Sequence, residues 1–297
     1  MLTKKQFDVL VCLEENPDIS TQREISEKTN ISLGAINTIL KELGKEGLIN
    51  NYRITQAGLD ALEPYRVKRA VFIAAGFGSR LVPITFNSPK PLVRVHGKRI
   101  IDSLLDAVIK KGIEEIYIVR GYLGEQFDQL LYKYPQVKFI ENPDYNTANN
   151  ISSIYYAREH LQNAYICEAD LLLYNEDLIQ KYQYSSNYLG VPVKETDDWC
   201  LYTKNGVITK VSIGGTNCNH MYGISYWDEK DGARLKEDVV SVFHMPGGRE
   251  RYWDQVPLQD CLKHYSIRVR PCTFDDITEI DTLQDLMKID PAYKIEN

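Results

Sequence analysis

Two glycines, an arginine and a lysine lie within one short segment, Ala74–Leu92 (AAGFGSRLVPITFNSPKPL), directly after the apolar run Ala70–Ile73. Together these residue types hold anions. Gly76 and Gly78 lack a Cβ, so the backbone can lie against a ligand or take φ > 0. Successive N–H groups from Ala75 through Gly76, Phe77, Gly78 and Ser79 can form a concavity for phosphate. Arg80 adds a planar, bidentate phosphate donor. Lys90, between Pro89 and Pro91, is a point charge on a stiffened segment. Two common phosphate templates do not fit. Leu81 stands where G-x-G-x-x-G needs its third glycine, and no G-K-S/T follows.

Such a loop needs a sheet edge to stand on. From Arg69 the chain alternates strand and helix patterns: RAVFIAA, IIDSLLDAVIKKG, EIYIVRG, EQFDQLLYKY, VKFIE, NNISSIYYAREH and AYICEAD. This alternation predicts an α/β fold, a doubly wound, mostly parallel sheet. Ligands of such sheets bind beyond the carboxyl ends of the strands. The glycine loop lies there, and so does Asp170 at the end of AYICEAD. Glu168 shares its strand face and is a weaker candidate. Asp281, in TEIDTLQDL, stands between a short strand and a helix start, where a plain N-cap is the alternative reading. Further on, Asn205-Gly206 within WCLYTKNGVITKVSI signals a hairpin.

The string AAGFGSRLVPIT…SPKPLV, with GYLGEQF, the Asp170 strand, YWD and EID, resembles the nucleotidyltransferases, in particular the small bacterial CTP:phosphocholine cytidylyltransferases that serve cell-surface decoration. The resemblance runs from about Lys68 to Asp290. It implies that residues 75–80 wrap a nucleotide and that Arg80 meets its outer phosphates. Lys90 would contact the transferring or substrate phosphate, and Asp170 and Asp281 would hold Mg²⁺. Tyr122 and Gln126 would meet the base, and Asn149 or Asn150 the nucleotide or substrate side. In this chemistry an anionic phosphate oxygen attacks the α-phosphate of an NTP and pyrophosphate leaves. No general base is needed, because positioning and charge neutralisation suffice.

The acceptor is suggested by TDDWCLY, YGISYWD and RERYWDQ, which contain all three tryptophans of the chain. A quaternary ammonium cannot donate a hydrogen bond and is held by aromatic faces and nearby carboxylates. Trp199 and Tyr252 are the first candidates, with Trp227 as a third and Glu250 and Asp254 as counter-charges. Phosphocholine is therefore the expected acceptor. Phosphoethanolamine or 2-aminoethylphosphonate is the alternative, since acids accompany the aromatics. A sugar 1-phosphate would need more polar partners.

Residues 1–65 read as a separate winged helix-turn-helix resembling MarR-like modules, leaving 66–297 for the transferase. The module has seven basic and ten acidic residues, and its would-be recognition helix begins SLGAIN, without an arginine for a guanine edge. DNA is thus the weaker expectation as a partner, and dimerisation (a homodimer) or regulation the alternative role. A regulator using the transferase fold as a nucleotide or choline sensor is a reading of another class, opposed by the intact Arg80, Lys90, Asp170 and Asp281. The net charge of −6 argues against a chain devoted to nucleic acid. No apolar run is long enough to span a membrane. The six cysteines form no C-x-x-C pair, as expected for reduced thiols in a cytoplasmic protein.

Overall fold

Threonines start three of the four helices of the N-terminal segment. α1 (Lys4–Glu15) opens on Thr3, which exchanges hydrogen bonds with Gln6 in a capping box. α2 (Gln22–Thr29) opens in the same way on Thr21 with Glu24. The cap is Thr21 and not the neighbouring Ser20, because only Thr21 has a glutamate three residues on. Asn30 ends α2 in the left-handed region at φ 54°. α3 (Leu33–Lys45) then buries Ile36, Ile39 and Leu43. A two-stranded ladder of β1 (Ile49–Asn50) and β2 (Arg53–Ile54) and a closing helix, α4 (Gln56–Leu62), complete a winged helix. Its core joins Phe7, Leu10, Leu13, Ile25, Ile36 and Leu43. The computed structural model describes residues 1–294. It divides into two units: Met1–Arg66 with Tyr182–Tyr184, and Val67–Lys181 with the chain from Ser185 onward.

The second unit begins with β3 (Arg69–Ile73), followed by the short β4 (Arg94–Val95) and β5 (Lys98–Arg99), then α5 (Asp102–Lys110) and β6 (Glu115–Arg120). β7 (Val137–Glu141), α6 (Ile151–Ala157), β8 (Ala164–Glu168) and β9 (Leu171–Leu173) follow. Two long strands, β10 (Asn187–Lys204) and β11 (Val207–Trp227), are joined by Asn205 and Gly206 at φ 54° and 76°, the positive pair that a type I′ turn requires. α7 (Glu229–His244), β12 (Arg268–Pro271), β13 (Ile277–Glu279) and α8 (Leu283–Ile289) follow, with a 3₁₀ turn at Pro291–Tyr293 after them among the described residues. The segment EQFDQLLYKY is not an α-helix, since Gly124–Tyr132 winds in 3₁₀ turns.

Among the described residues, seven strands form one sheet in the order β10-β12-β11-β8-β3-β6-β7. β8, β3, β6 and β7 are mutually parallel, and β11 runs antiparallel to β8. From β3 the chain steps outward to β6 and β7, then returns to place β8 on β3's other side. The winding therefore reverses between β3 and β8, which opens a crevice beyond their carboxyl ends. Both faces are covered, so β3 is apolar from Ala70 to Ile73, with Ala70, Val71 and Phe72 buried. Adjacent residues of β11 enter opposite cores: Tyr226 packs with Phe72 and Cys167, Trp227 with Ile166, Tyr188 and Trp253. No helix of the described residues is long and apolar enough to cross a membrane.

Candidate active site

The glycine loop leaves β3 at the crevice. Gly78 stands at φ +61°, and a Cβ there would lie 2.9 Å from Lys90 Cβ and 3.1 Å from Thr85 Cγ2. Glycine is needed at this position twice over, for its backbone angle and for the close approach of the lysine segment. The Thr85 hydroxyl donates to Gly78 O at 2.8 Å and pins the turn. Gly76 differs. A Cβ there would meet no protein atom within 4 Å, and its φ is unexceptional. Its absence leaves the backbone bare toward a cavity that Ala75, Gly76 and Phe77 line. Ser79 opens a 3₁₀ turn that carries Arg80.

Lys90 is the centre of the charged cluster. Its ammonium lies 2.7 Å from Asp170 Oδ2 and 3.4 Å from Asp281 Oδ1, and Arg80 pairs with the other Asp281 oxygen. Burial acts to lower the Lys90 pKa. The charge and hydrogen bond of Asp170, helped by Asp281 and Glu279, outweigh it and hold the pKa above the ordinary lysine value. The two aspartates meet because β13 pairs antiparallel with β9, setting Glu279 opposite Leu171, and because Ile280 N–H donates to Asp170 O at 3.1 Å. Asp281 is not the helix cap. Thr282 takes that place in a capping box with Asp285, which leaves the Asp281 carboxylate to the site.

Two further carboxylates join them. Glu168, Asp170 and Glu279 each offer an oxygen within 4.8 Å of the others. Glu168 lies where a Cβ on Gly223 would be, 2.4 Å from its Oε2, so that glycine makes room for it. Burial, with the charges of Asp170, Asp254 and Glu279, pushes the Glu168 carboxyl well above the usual range. Burial and Asp170 push Glu279 up to about 8, against the pull of Lys90. Asp170 Oδ1 is buried without a hydrogen-bond partner. Hard carboxylate oxygens, crowded together with one lone pair unclaimed, fit a divalent cation of the Mg²⁺ type. Glu279 was missed in the sequence, although Glu279 and Asp281 are spaced as Glu168 and Asp170 are, each a glutamate at a strand's end two residues before an aspartate.

The cavity beside the loop has a volume of about 530 Å³ and is walled opposite Gly76 by Asn142, Asn149, Ser152 and Ser153, with Arg249 and Glu250 at its side. Buried Asn142 donates to Ser152 Oγ at 2.9 Å and Ser153 Oγ at 3.2 Å, and accepts from Asp144 N–H. Phe77, 46% exposed, lies between the rings of Tyr122 and Tyr145 at 5.2 and 5.4 Å. Three expectations change here. Tyr122 does not face the cavity: its hydroxyl donates to Thr85 O at 3.0 Å and to Phe86 O at 3.3 Å. Gln126 donates to Asn87 O at 3.0 Å. Both brace the glycine loop's far end, because its turn carbonyls need donors that the loop itself lacks. Asn149 lines the cavity, but its amide is already engaged, donating to Glu250 O and accepting from Asn150 N–H.

Of the acceptor candidates, Trp199 and Tyr252 come together, at 5.7 Å between ring centroids and 68° between planes, with Tyr252 46% exposed. Asp198 Oδ1 accepts the Trp199 N–H. Trp227 does not join them. It is fully buried, its Nε1 donates to Ser225 Oγ at 3.0 Å, and Tyr188, Trp253 and Tyr265 surround it edge-on. Its neighbour Tyr226 is also buried, on the opposite face, so neither ring reaches a pocket. Glu250 lines the loop cavity and not the Trp199–Tyr252 pair. Asp254 is buried and accepts from Tyr188 Oη at 2.9 Å. Burial pushes its carboxyl up to about 7, although that hydrogen bond acts to lower it.

The description "Nucleotidyl transferase" belongs to a family model that matches residues 69–193, and "Winged helix-turn-helix DNA-binding" to one that matches residues 2–50. The chain is 34% identical to 2-aminoethylphosphonate cytidylyltransferase of Lancefieldella rimae, over 75% of this chain and 92% of that protein. It is 32% identical to choline-phosphate cytidylyltransferase of Streptococcus pneumoniae, over 77% of this chain and 100% of the relative. The solved structure of the CTP:phosphocholine cytidylyltransferase from Streptococcus pneumoniae superposes with a TM-score of 0.70 at 32% identity, covering 77% of this chain and 100% of that one.

Proposed function

The chain belongs to the nucleotidyl transferase family, as an enzyme of the cytidylyltransferase kind, and from that premise we propose that it transfers CMP from CTP to phosphocholine. A phosphate oxygen of phosphocholine bonds to the α-phosphorus of CTP, the bond from that phosphorus to the β-phosphate's bridging oxygen breaks, and pyrophosphate leaves. The products are CDP-choline and pyrophosphate. The bare backbone at Gly76 and the turn at Gly78 receive the triphosphate. Arg80, on a 3₁₀ turn and largely exposed, swings from Asp281 to the outer phosphates. Lys90, buried and held charged, neutralises the transferring group. Asp170 and Asp281, with Glu168 and Glu279 behind them, would hold Mg²⁺, which when bound supplies further charge neutralisation at the phosphates. The cavity walled by Asn142, Ser152 and Ser153 takes the cytidine.

The observation that carries the choice of acceptor is the near-perpendicular pair Trp199–Tyr252. Two partly exposed rings inclined at 68° supply two walls of a site for a quaternary ammonium. A second reading, 2-aminoethylphosphonate, has its own support in the buried carboxylates Glu168, Asp254 and Glu279, acceptors that a primary ammonium can use. Pyrophosphate release with CTP and Mg²⁺, compared across phosphocholine, 2-aminoethylphosphonate and phosphoethanolamine, decides between them. Phosphocholine is expected to have the highest kcat/KM. Trp199→Ala is expected to raise its KM about tenfold, the loss of one partly desolvated cation–π contact, with little change for the primary amines. A primary amine turning over fastest refutes the aromatic-cage reading and leaves the transferase chemistry intact.

A further inference from the structure

The strip of chain from Arg249 to Trp253 touches both halves of the proposed site. Arg249 and Glu250 line the cavity beside the glycine loop, and Tyr252 meets Trp199. Two adjacent asparagines tie this strip down. Asn149 N–H donates to Arg249 O at 2.7 Å, and its side-chain Nδ2 donates to Glu250 O at 3.2 Å. Trp253 N–H donates to Asn150 Oδ1 at 2.8 Å. Near the start of the same loop, Arg249 Nη2 pairs with Asp144 Oδ1 at 2.6 Å. Trp253 is itself buried, stacked on Tyr188 and edge-on to Trp227. The strip is thus anchored by a core tryptophan at one end and an ion pair at the other, and the cage tyrosine lies next to the core anchor.

Asn150 is the link that counts most. Its oxygen is the acceptor for Trp253 N–H, one residue beyond Tyr252, and it belongs to the segment that forms the cavity's wall. A nucleotide filling that cavity packs against both the asparagine segment and the strip. We propose that Asn150 is a positioning residue that couples the nucleotide cavity to the acceptor pocket. Through Trp253 it holds Tyr252 against Trp199, so that nucleotide binding prepares the site for the acceptor. This rests on the reading of Trp199 and Tyr252 as the acceptor's aromatic walls. The coupling passes through one hydrogen bond, and its loss leaves a buried N–H without a partner.

The test is steady-state kinetics on the full chain, varying acceptor at saturating CTP and CTP at saturating acceptor, for wild type, Asn150→Ala and Asn150→Asp. Asn150→Ala is expected to raise the acceptor KM about tenfold, the scale of one such unsatisfied group, and by more than it raises the CTP KM, since Asn150 also lines the nucleotide cavity. Asn150→Asp keeps an oxygen for Trp253 N–H and is expected to restore most of the acceptor KM. Equal rises in both KM values, a fall in kcat alone, or no rescue by aspartate would each overturn the proposal. If Asn150→Ala does not fold, Asn150→Ser, whose hydroxyl is too short to reach, replaces it. The experiment is run with phosphocholine and with 2-aminoethylphosphonate. A selective KM effect on the phosphonate alone, with phosphocholine not used, refutes the phosphocholine reading while the coupling stands. Turnover of phosphocholine with no KM effect refutes the coupling alone. Should neither turn over, calorimetric binding of phosphocholine to the CTP-loaded chain replaces KM, and equal affinity in wild type and Asn150→Ala overturns the proposal.

Discussion

Replacing Lys90 by methionine separates its two tasks. The side chain is 10% exposed, between Asp170 and Asp281 at 21% and 29%. At an effective dielectric of about 20, contacts at these distances are each worth about 5–6 kcal/mol of attraction before desolvation. Desolvation removes much of this, and breaking a fully buried pair costs about 3–5 kcal/mol. The partial exposure of both aspartates reduces the expected loss to about 2–3 kcal/mol. For a unit of this size that is a fall in Tm of about 5–10 °C. The vacated space is rimmed by carboxylates and so suits a cation. Millimolar Mg²⁺ is therefore expected to restore much of the Tm of Lys90→Met while raising that of wild type less. Activity is not expected to return, since the metal does not replace the charge that meets the transferring phosphate. A loss of about 10²–10³ in kcat should persist at saturating Mg²⁺. Differential scanning fluorimetry with and without Mg²⁺, alongside pyrophosphate release, reads both quantities. A variant as stable as wild type without metal, or one within tenfold of wild-type kcat, would refute the argument that Lys90 both balances the carboxylates and serves the phosphate.

Two further predictions concern the acceptor half. Trp227→Ala is expected to cost about 3–5 kcal/mol in urea denaturation, as for other buried aromatics. Where the protein remains folded, it should change the KM for phosphocholine no more than that for CTP. A selective acceptor effect would contradict its place in the core. Asp254 gives a pH signature. Its folded carboxyl is pushed up to about 7 from 3.8 by burial, so the folded state holds a proton that the unfolded chain releases. Its stabilising contribution is present at low pH and is lost as pH rises through the window between these values. Asp254→Asn should therefore gain on wild type by up to a few kcal/mol between pH 5 and pH 8, read from urea midpoints. An equal difference at both pH values would refute the assignment.

Local physics was legible in the chain. The glycine loop could be read because its residue types and its place after an apolar strand do not depend on distant partners. The Asn205-Gly206 turn could be read because its backbone angles are intrinsic to those residues. The winged helix has a local signature too, in the capping boxes of Thr3 with Gln6 and Thr21 with Glu24. The capping box of Thr282 and Asp285 was equally local, and it would have released Asp281 from the N-cap alternative. Asp170 could be singled out because it follows a strand at the ligand edge of a doubly wound sheet, and Asp281 because it stands between a short strand and a helix start.

What the sequence by itself determined was a glycine-rich loop directly after an apolar strand, the alternating fold and a chain rich in aromatics near acids. Tertiary structure decided which of those side chains are free. Trp199 and Trp227 have similar neighbours in sequence. The sheet covers the faces on both sides of Trp227 with packed cores and leaves Trp199 beside Tyr252, because burial depends on which elements lie above a strand and not on the strand itself. Tyr122 and Gln126 had the right groups for a base, but the carbonyls of the 85–87 turn claimed them first. Glu279 joins Glu168 and Asp170 only through the pairing of β13 with β9. Such contacts between distant segments carry no local signal, because the entropy of bringing the segments together is offset by the packing of the whole unit.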